Sequence, residues 1–156
     1  MLNRLKAVVA GVVVGITVLI MFTVLAPYRL VVVLSDSMEP TLMVGDRAIF
    51  RETKEFGRGD IILFYKTFYN NGYENITLPL TKRVTAVEGD HLISNGKMLL
   101  RNGEPIRPSS AILDVIVPKG TVFVLGDNKG SSYDSLSWYK PFVVVEDAVG
   151  VICRRF

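Results

Sequence analysis

The chain opens with an apolar run and then shifts to short alternating stretches cut by turn residues. Ala7 to Ala26 carries no charge, and its hydroxyls, Thr17 and Thr23, can bond back to helical carbonyls. Twenty residues at about 1.5 Å each span roughly 30 Å, the hydrocarbon thickness of a bilayer. The Val-rich composition does not oppose a helix in lipid, where a single segment must satisfy its own backbone. Arg4 and Lys6 precede the run, which predicts a cytoplasmic N-terminus. A cleavable leader is the alternative, with Val24-Leu25-Ala26 resembling a cleavage site. Against it, Pro27 would follow the cut, and the run exceeds a usual leader core. The expected organisation is therefore residues 1–6 cytoplasmic, 7–26 a transmembrane anchor helix and 27–156 an extracytoplasmic domain.

From Pro27 onward the pattern predicts strands. Tyr28 to Leu34 reads as a strand buried on both faces. If extended structure continued, Ser35 and Ser37 would share a face, and Pro40 would then break the chain. Val44-Gly45-Asp46 is a turn, Arg47 to Arg51 a short strand, and Lys54 to Asp60 a loop. Ile61 to Phe68 and Leu78 to Val87 are strands joined through the turn signal Asn70-Asn71-Gly72. Asn95-Gly96 and Asn102-Gly103 are tight-hairpin signals that predict a small meander after Gly89-Asp90. Strands near Val115–Val117, Thr121–Leu125 and Val149–Arg154 complete the set, with a short helix or irregular turn over Ser131 to Trp138. The expected fold is mainly β: an antiparallel folded-sheet or barrel-like domain hung from one N-terminal helix.

Composition narrows the chemistry. The 156 residues suit one modest domain, and the mean hydropathy of +0.35 is raised by the N-terminal run. A net charge of +3, with no basic stripe among aromatics, argues against a nucleic-acid partner. Cys153 is the only cysteine and His91 the only histidine, so neither a zinc set nor a disulfide is expected. His91 follows a turn signal and reads as a surface loop residue. There is no phosphate-cradling glycine loop. No metal or cofactor is expected.

A serine fixed beside a proline break is a candidate nucleophile, and it needs a group to take its proton. With histidine nearly absent, lysine is the next option. It qualifies only if burial disfavours its charged form. Lys82 stands out by its face: alternation groups it with Leu78, Leu80, Val84 and Ala86, while Arg83 goes with Thr81 and Thr85. Lys54, Lys66, Lys97, Lys119, Lys129 and Lys140 read as turn or turn-flanking residues.

These residues fall in ordered blocks. They are Ser35-Asp36-Ser37-Met38-Glu39-Pro40-Thr41-Leu42 after an apolar strand, Arg58-Gly59-Asp60, Lys82-Arg83-Val84 with Gly89-Asp90, and Gly126-Asp127-Asn128-Lys129 with Ser132 and Asp134-Ser135. In order and spacing they resemble type I signal peptidase, the bacterial Ser/Lys type of peptidase family S26. The resemblance implies a membrane-bound endopeptidase acting on signal peptides of exported preproteins. Ser37 would be nucleophile and Lys82 general base, with the Ser37 N–H and the Ser35 hydroxyl forming an oxyanion hole. Ser132 would hydrogen-bond Lys82, and Asp127, Asn128, Asp134 and Arg83 would support the dyad. Val31, Val33 and Leu42 would line shallow pockets for small substrate side chains beside an edge strand.

Departures accompany the resemblance. The family often has arginine two residues after the aspartate matching Asp134, where this chain has Leu136, so Asp134 should turn to Arg83, water or a backbone donor. The Ser-x-Ser segment is similar to a branch that uses histidine as base, but Lys82-Arg83 is the bacterial pattern. The short stretch between Asp90 and Gly126 implies a minimal second β unit. Two rivals are an inactive membrane-tethered relative that binds exported chains, and a self-cleaving Ser/Lys protease of the repressor type. The latter would carry a DNA-binding segment where this chain has its apolar run. The aromatic stretch Phe64 to Tyr69 reads either as strand core or as a patch dipping into lipid headgroups. Asn75-Ile76-Thr77 is a glycosylation sequon that a bacterial protein would ignore.

Overall fold

The structure is a computed structural model that describes residues 2–68 and 75–156. The turn signal Asn70-Asn71-Gly72 and Tyr69 lie outside the described residues. One helix, α1 (Leu2–Leu25), precedes eleven strands. They are β1 (Tyr28–Val32), β2 (Arg47–Glu52), β3 (Ile61–Phe68), β4 (Ile76–Val87), β5 (His91–Asn95), β6 (Met98–Arg101), β7 (Glu104–Pro108), β8 (Ile112–Ile116), β9 (Thr121–Leu125), β10 (Phe142–Val144) and β11 (Ala148–Arg155). From Val9 to Leu25, α1 is exposed on every face. Among the described residues no helix is long and apolar enough to cross a membrane.

The strands form two antiparallel sheets, a seven-stranded one in the order β1-β2-β11-β3-β4-β9-β10 and a four-stranded one in the order β7-β6-β5-β8. The smaller sheet contains the predicted meander. Its turns carry Gly96 at φ 81° and Asn102-Gly103 at 52° and 86°, left-handed values that a tight hairpin requires. Strand β9, a member of the seven-stranded sheet, is buried on both faces because a core cluster lies on each. Val122 and Val124 pack with Ile62, Phe64, Val84, Trp138, Val143 and Ala148. Phe123 and Leu125 point oppositely and pack with Ala86, Leu92, Leu99 and Val117. A third, smaller cluster joins Met38, Leu42 and Ile61.

Several expectations need correction. Strand β1 is not buried on both faces: it is the sheet edge, with Leu30 at 61% and Val32 at 53% exposure. An apolar run looks the same whether its outer neighbour is a strand or open space. His91 begins β5 rather than lying in a loop, and its ring nitrogen meets Asp114 Oδ1 at 2.6 Å. Ala86 does not share the face of Val84. The register of β4 against β9 shifts between Val84 and Ala86, and this bulge sends Ala86 to the second cluster. Lys66 lies within β3, not in a turn. The core reading of the aromatic stretch holds for Phe64, buried edge-on to Trp138, and for Phe68, which packs on Tyr133 and Trp138. Tyr65 is 54% exposed.

Candidate active site

Ser37 does not sit at a strand end. Ser35 is extended (φ −137°, ψ 155°), and Asp36–Met38 closes one 3₁₀ turn. Pro40 lacks an N–H and disfavours helical Glu39, which limits the helix to that turn; the Glu39–Pro40 bond is cis. Met38, 1% exposed, pins the turn into the small cluster with Leu42 and Ile61. The loop after β9 grips it from the other side. The Asn128 N–H donates to the Ser37 carbonyl at 3.1 Å, Asn128 Nδ2 to the Asp36 carbonyl at 3.1 Å, and Ser131 Oγ to Asp36 Oδ1 at 2.7 Å. Ser37 is thereby held on both sides of its own Cα.

Lys82 reaches this turn from β4. It pairs in register with Ile62 of β3, so it emerges on the face that carries Leu80 and Val84 into the core. It is 3% exposed, and its Nζ donates to Ser37 Oγ at 2.6 Å. Burial pushes its pKa below the ordinary 10.5; Asp134, Asp36 and Asp127 oppose that shift without reversing it. Lys66 is a useful contrast. Burial lowers its pKa too, but its Nζ donates to the Lys140 and Phe142 carbonyls and stacks 4.3 Å above the Trp138 ring. It has no hydroxyl to deprotonate among these partners.

The supporting residues depart from expectation at Ser132, while Asp134 finds the backbone donors expected of it. Arg83 clasps Asp127 through two nitrogens, at 2.9 and 2.6 Å, and donates to the Gly59 carbonyl at 2.6 Å. Ser132 was expected to bond Lys82; its hydroxyl instead donates to Asp134 Oδ2 at 2.8 Å. A carboxylate oxygen two residues away outcompetes the amine. Asp134, 1% exposed, also accepts from the Gly126 N–H at 2.9 Å and the Leu136 N–H at 3.1 Å. Its cationic partner is Arg107 of β7, at 3.4 Å, and not Arg83. Nothing local to Asp134 in the sequence signals Arg107, which lies in the other sheet. A Cβ on Gly126 would come within 2.5 Å of the Ser37 carbonyl and closer still to Ser132, so the two loops meet at bare backbone.

Ser35 Oγ stands 3.3 Å from Ser37 Oγ. The Ser37 N–H is early in its 3₁₀ turn and has no acceptor within that turn. Val31 and Val33 are half-buried along the β1 segment, alternating with exposed Leu30, Val32 and Leu34. Leu42 is 2% exposed and belongs to the core, so its place in a pocket wall is corrected to a place beneath the surface. Among the described residues no group of His, Cys, Asp and Glu is placed to hold a metal ion.

A buried amine at hydrogen-bond distance from a fixed serine, on an antiparallel β scaffold, has the layout of a serine–lysine hydrolase site. The chain belongs to the signal peptidase family, peptidase S26, whose model matches residues 3–156. It is 33% identical over 135 residues to the Synechocystis sp. protein named "Probable signal peptidase I-1", covering 78% of this chain and 67% of that one. It is 36% identical over 119 residues to "Probable thylakoidal processing peptidase 2, chloroplastic" of Arabidopsis thaliana, covering 67% of this chain and 32% of that one. To signal peptidase I of Leptolyngbya laminosa the identity is 33% over 134 residues, covering 78% and 65%. The chain thus spans about two thirds or less of the length of these relatives. A crystal structure of a signal peptidase I from Enterococcus faecalis aligns with a TM-score of 0.44 at 24% identity, covering 64% of this chain and 97% of that one.

Proposed function

We propose that this chain is a membrane-tethered serine endopeptidase that removes signal peptides from exported preproteins. The observation that carries the proposal is the 2.6 Å contact between a buried lysine amine and Ser37 Oγ. Lys82, with its pKa lowered by burial, is neutral in the working state and accepts the Ser37 proton as Oγ attacks the scissile carbonyl. The oxyanion that forms is met by the Ser37 N–H and the Ser35 hydroxyl. Lys82 then passes the proton to the departing amine, leaving an acyl-serine ester. Water, deprotonated by the same amine, cleaves that ester and restores the hydroxyl. The substrate lies extended along the open edge of β1, where Val31 and Val33 receive small side chains.

The same reading assigns residues 1–6 to the cytoplasm, 7–26 to a single membrane span and 27–156 to the extracytoplasmic side of the cell membrane. Its support is the uncharged run from Ala7 to Ala26 and the exposure of α1 on every face from Val9 to Leu25.

The test uses the full chain in detergent with one preprotein, mapping the new N-terminus by mass spectrometry. Wild type should cut once, after a small residue, with kcat/KM rising with pH through the lowered lysine pKa. Ser37→Ala and Lys82→Arg should each lose roughly 10⁴-fold or more in kcat, since guanidinium does not release its proton in this range. Wild-type rates in folded Lys82→Arg refute the dyad. Recovery of the full chain in alkaline-carbonate supernatants would refute the anchor.

A further inference from the structure

The small sheet has so far served only as cover for β9. One of its side chains leaves it and enters the active-site support. Arg107, in β7, is 15% exposed at its side chain. Its Nη1 donates to the Gly126 carbonyl at 2.7 Å, and its Nη2 stands 3.4 Å from Asp134 Oδ2. The same Asp134 oxygen accepts from the Gly126 N–H and from Ser132 Oγ, so one guanidinium holds both ends of this knot. Gly126 abuts the Ser37 carbonyl, which makes the path from Arg107 to the nucleophile turn a single layer of backbone thick.

We propose that Arg107 is a positioning residue for the dyad, the small sheet's contribution to catalysis: it fixes Gly126 against the Ser37 turn and balances the buried Asp134 carboxylate so that the Lys82 amine can remain neutral. The inference rests on the Ser37–Lys82 reading above. The charges acting on Lys82 are Asp134 from the loop after β9, Asp36 from the nucleophile turn, and Asp127, which is already clasped by Arg83. Asp36 takes a hydrogen bond from the Ser131 hydroxyl and has no ion pair among those described. Asp134 is the buried member of the three, at 1% exposure, and Arg107 is its one cation among the described ion pairs. Without Arg107, an uncompensated carboxylate would favour the ammonium form of Lys82. Leu136 lines the same cavity of about 360 Å³ as Arg107, Lys129 and Asp134, so an arginine at 136 has room to replace the lost charge.

The experiment measures the Lys82 titration directly in the full chain, by ¹³C NMR of lysine labelled at Cε, with the signal assigned by its loss in Lys82→Ala. Arg107→Gln should raise the Lys82 midpoint by about one pH unit and lower kcat/KM at neutral pH about tenfold with KM unchanged. Adding Leu136→Arg should return both towards wild type. A merely structural arginine would lower Tm and leave the midpoint where it was, which overturns the proposal. If Arg107→Gln fails to fold, the double variant decides: recovery of fold with the low midpoint supports the inference, and its absence overturns it. A wild-type Lys82 midpoint near 10.5 would instead sink the dyad itself, so the two failures are told apart.

Discussion

Lys82 and Asp90 are charged-type residues buried almost equally, at 3% and 2% exposure, yet the fold treats them in opposite ways. Asp90 accepts from Arg58 Nε and Nη2 at 2.8 and 2.5 Å, the Val87 N–H at 2.9 Å and Asn102 Nδ2 at 2.7 Å. Burial alone would raise its pKa. The Arg58 hydrogen bond, then those from Val87 and Asn102, overcome this and bring it down from 3.8 to about 2. Lys82 has one described hydrogen-bond partner, Ser37, and burial prevails. Burial alone therefore does not decide ionisation; the number and charge of the donors or acceptors that follow the group inside do. Asp90 is therefore a joint between the loop before β3 and the start of β5. Lys82 is a base.

The largest effect is expected at Lys82. Lys82→Met should reduce preprotein cleavage by roughly 10⁴-fold or more while raising stability at pH 7 by about 1 kcal/mol, read from urea denaturation. The sign follows from linkage. An amine whose folded pKa is lowered is destabilising below the unfolded value, and this penalty fades as pH rises towards 10.5. The gain in Lys82→Met should fade over the same window. A less severe catalytic loss, about 10²-fold in kcat with KM little changed, is expected for Ser35→Ala if its hydroxyl meets the oxyanion.

At Asp90 the order of effects reverses. Asp90→Ala should lower stability by about 2 kcal/mol and keep cleavage per folded molecule within about threefold of wild type. A collapse of kcat in a well-folded Asp90→Ala protein would erase the distinction between joint and base. The smallest effect is in acid. A carboxylate with a depressed pKa stabilises above its unfolded value near 3.8, and that contribution is lost as pH falls through about 2. Wild-type stability should therefore decline across this interval, and Asp90→Asn should show a flatter profile there.

Much of this was legible in the chain because it is local. Hairpin residues fix their own turns, so the meander from Asn95 to Gly103 could be read directly. The meeting of Ser37 and Lys82 was legible as two motifs and one face: alternation alone put Lys82 with Leu80 and Val84. What escaped depends on the third dimension. The bulge after Val84 moved Ala86 to another cluster, and no period-2 pattern announces an extra residue. A turn was expected after the strand; that it takes the 3₁₀ form over Asp36–Met38 was not legible, although Pro40 correctly marked where it stops. Arg107 and Asp134 meet only because β7 folds back over β9. Arg58 and Asp90 stood in separate recognised blocks without any sign that they pair. The edge position of β1 is a property of sheet order, which an apolar run does not encode.

Gly126 has a consequence for how this protein can vary. A Cβ there would meet the Ser37 carbonyl and the Ser132 side chain at 2.5 Å or less, so every other amino acid would act as a wedge. Such a wedge would press on the backbone of Ser37 and so shift the 2.6 Å contact between its Oγ and Lys82 Nζ. The site is thus calibrated by an omission: a position that admits no side chain helps to set the spacing of Ser37 and Lys82.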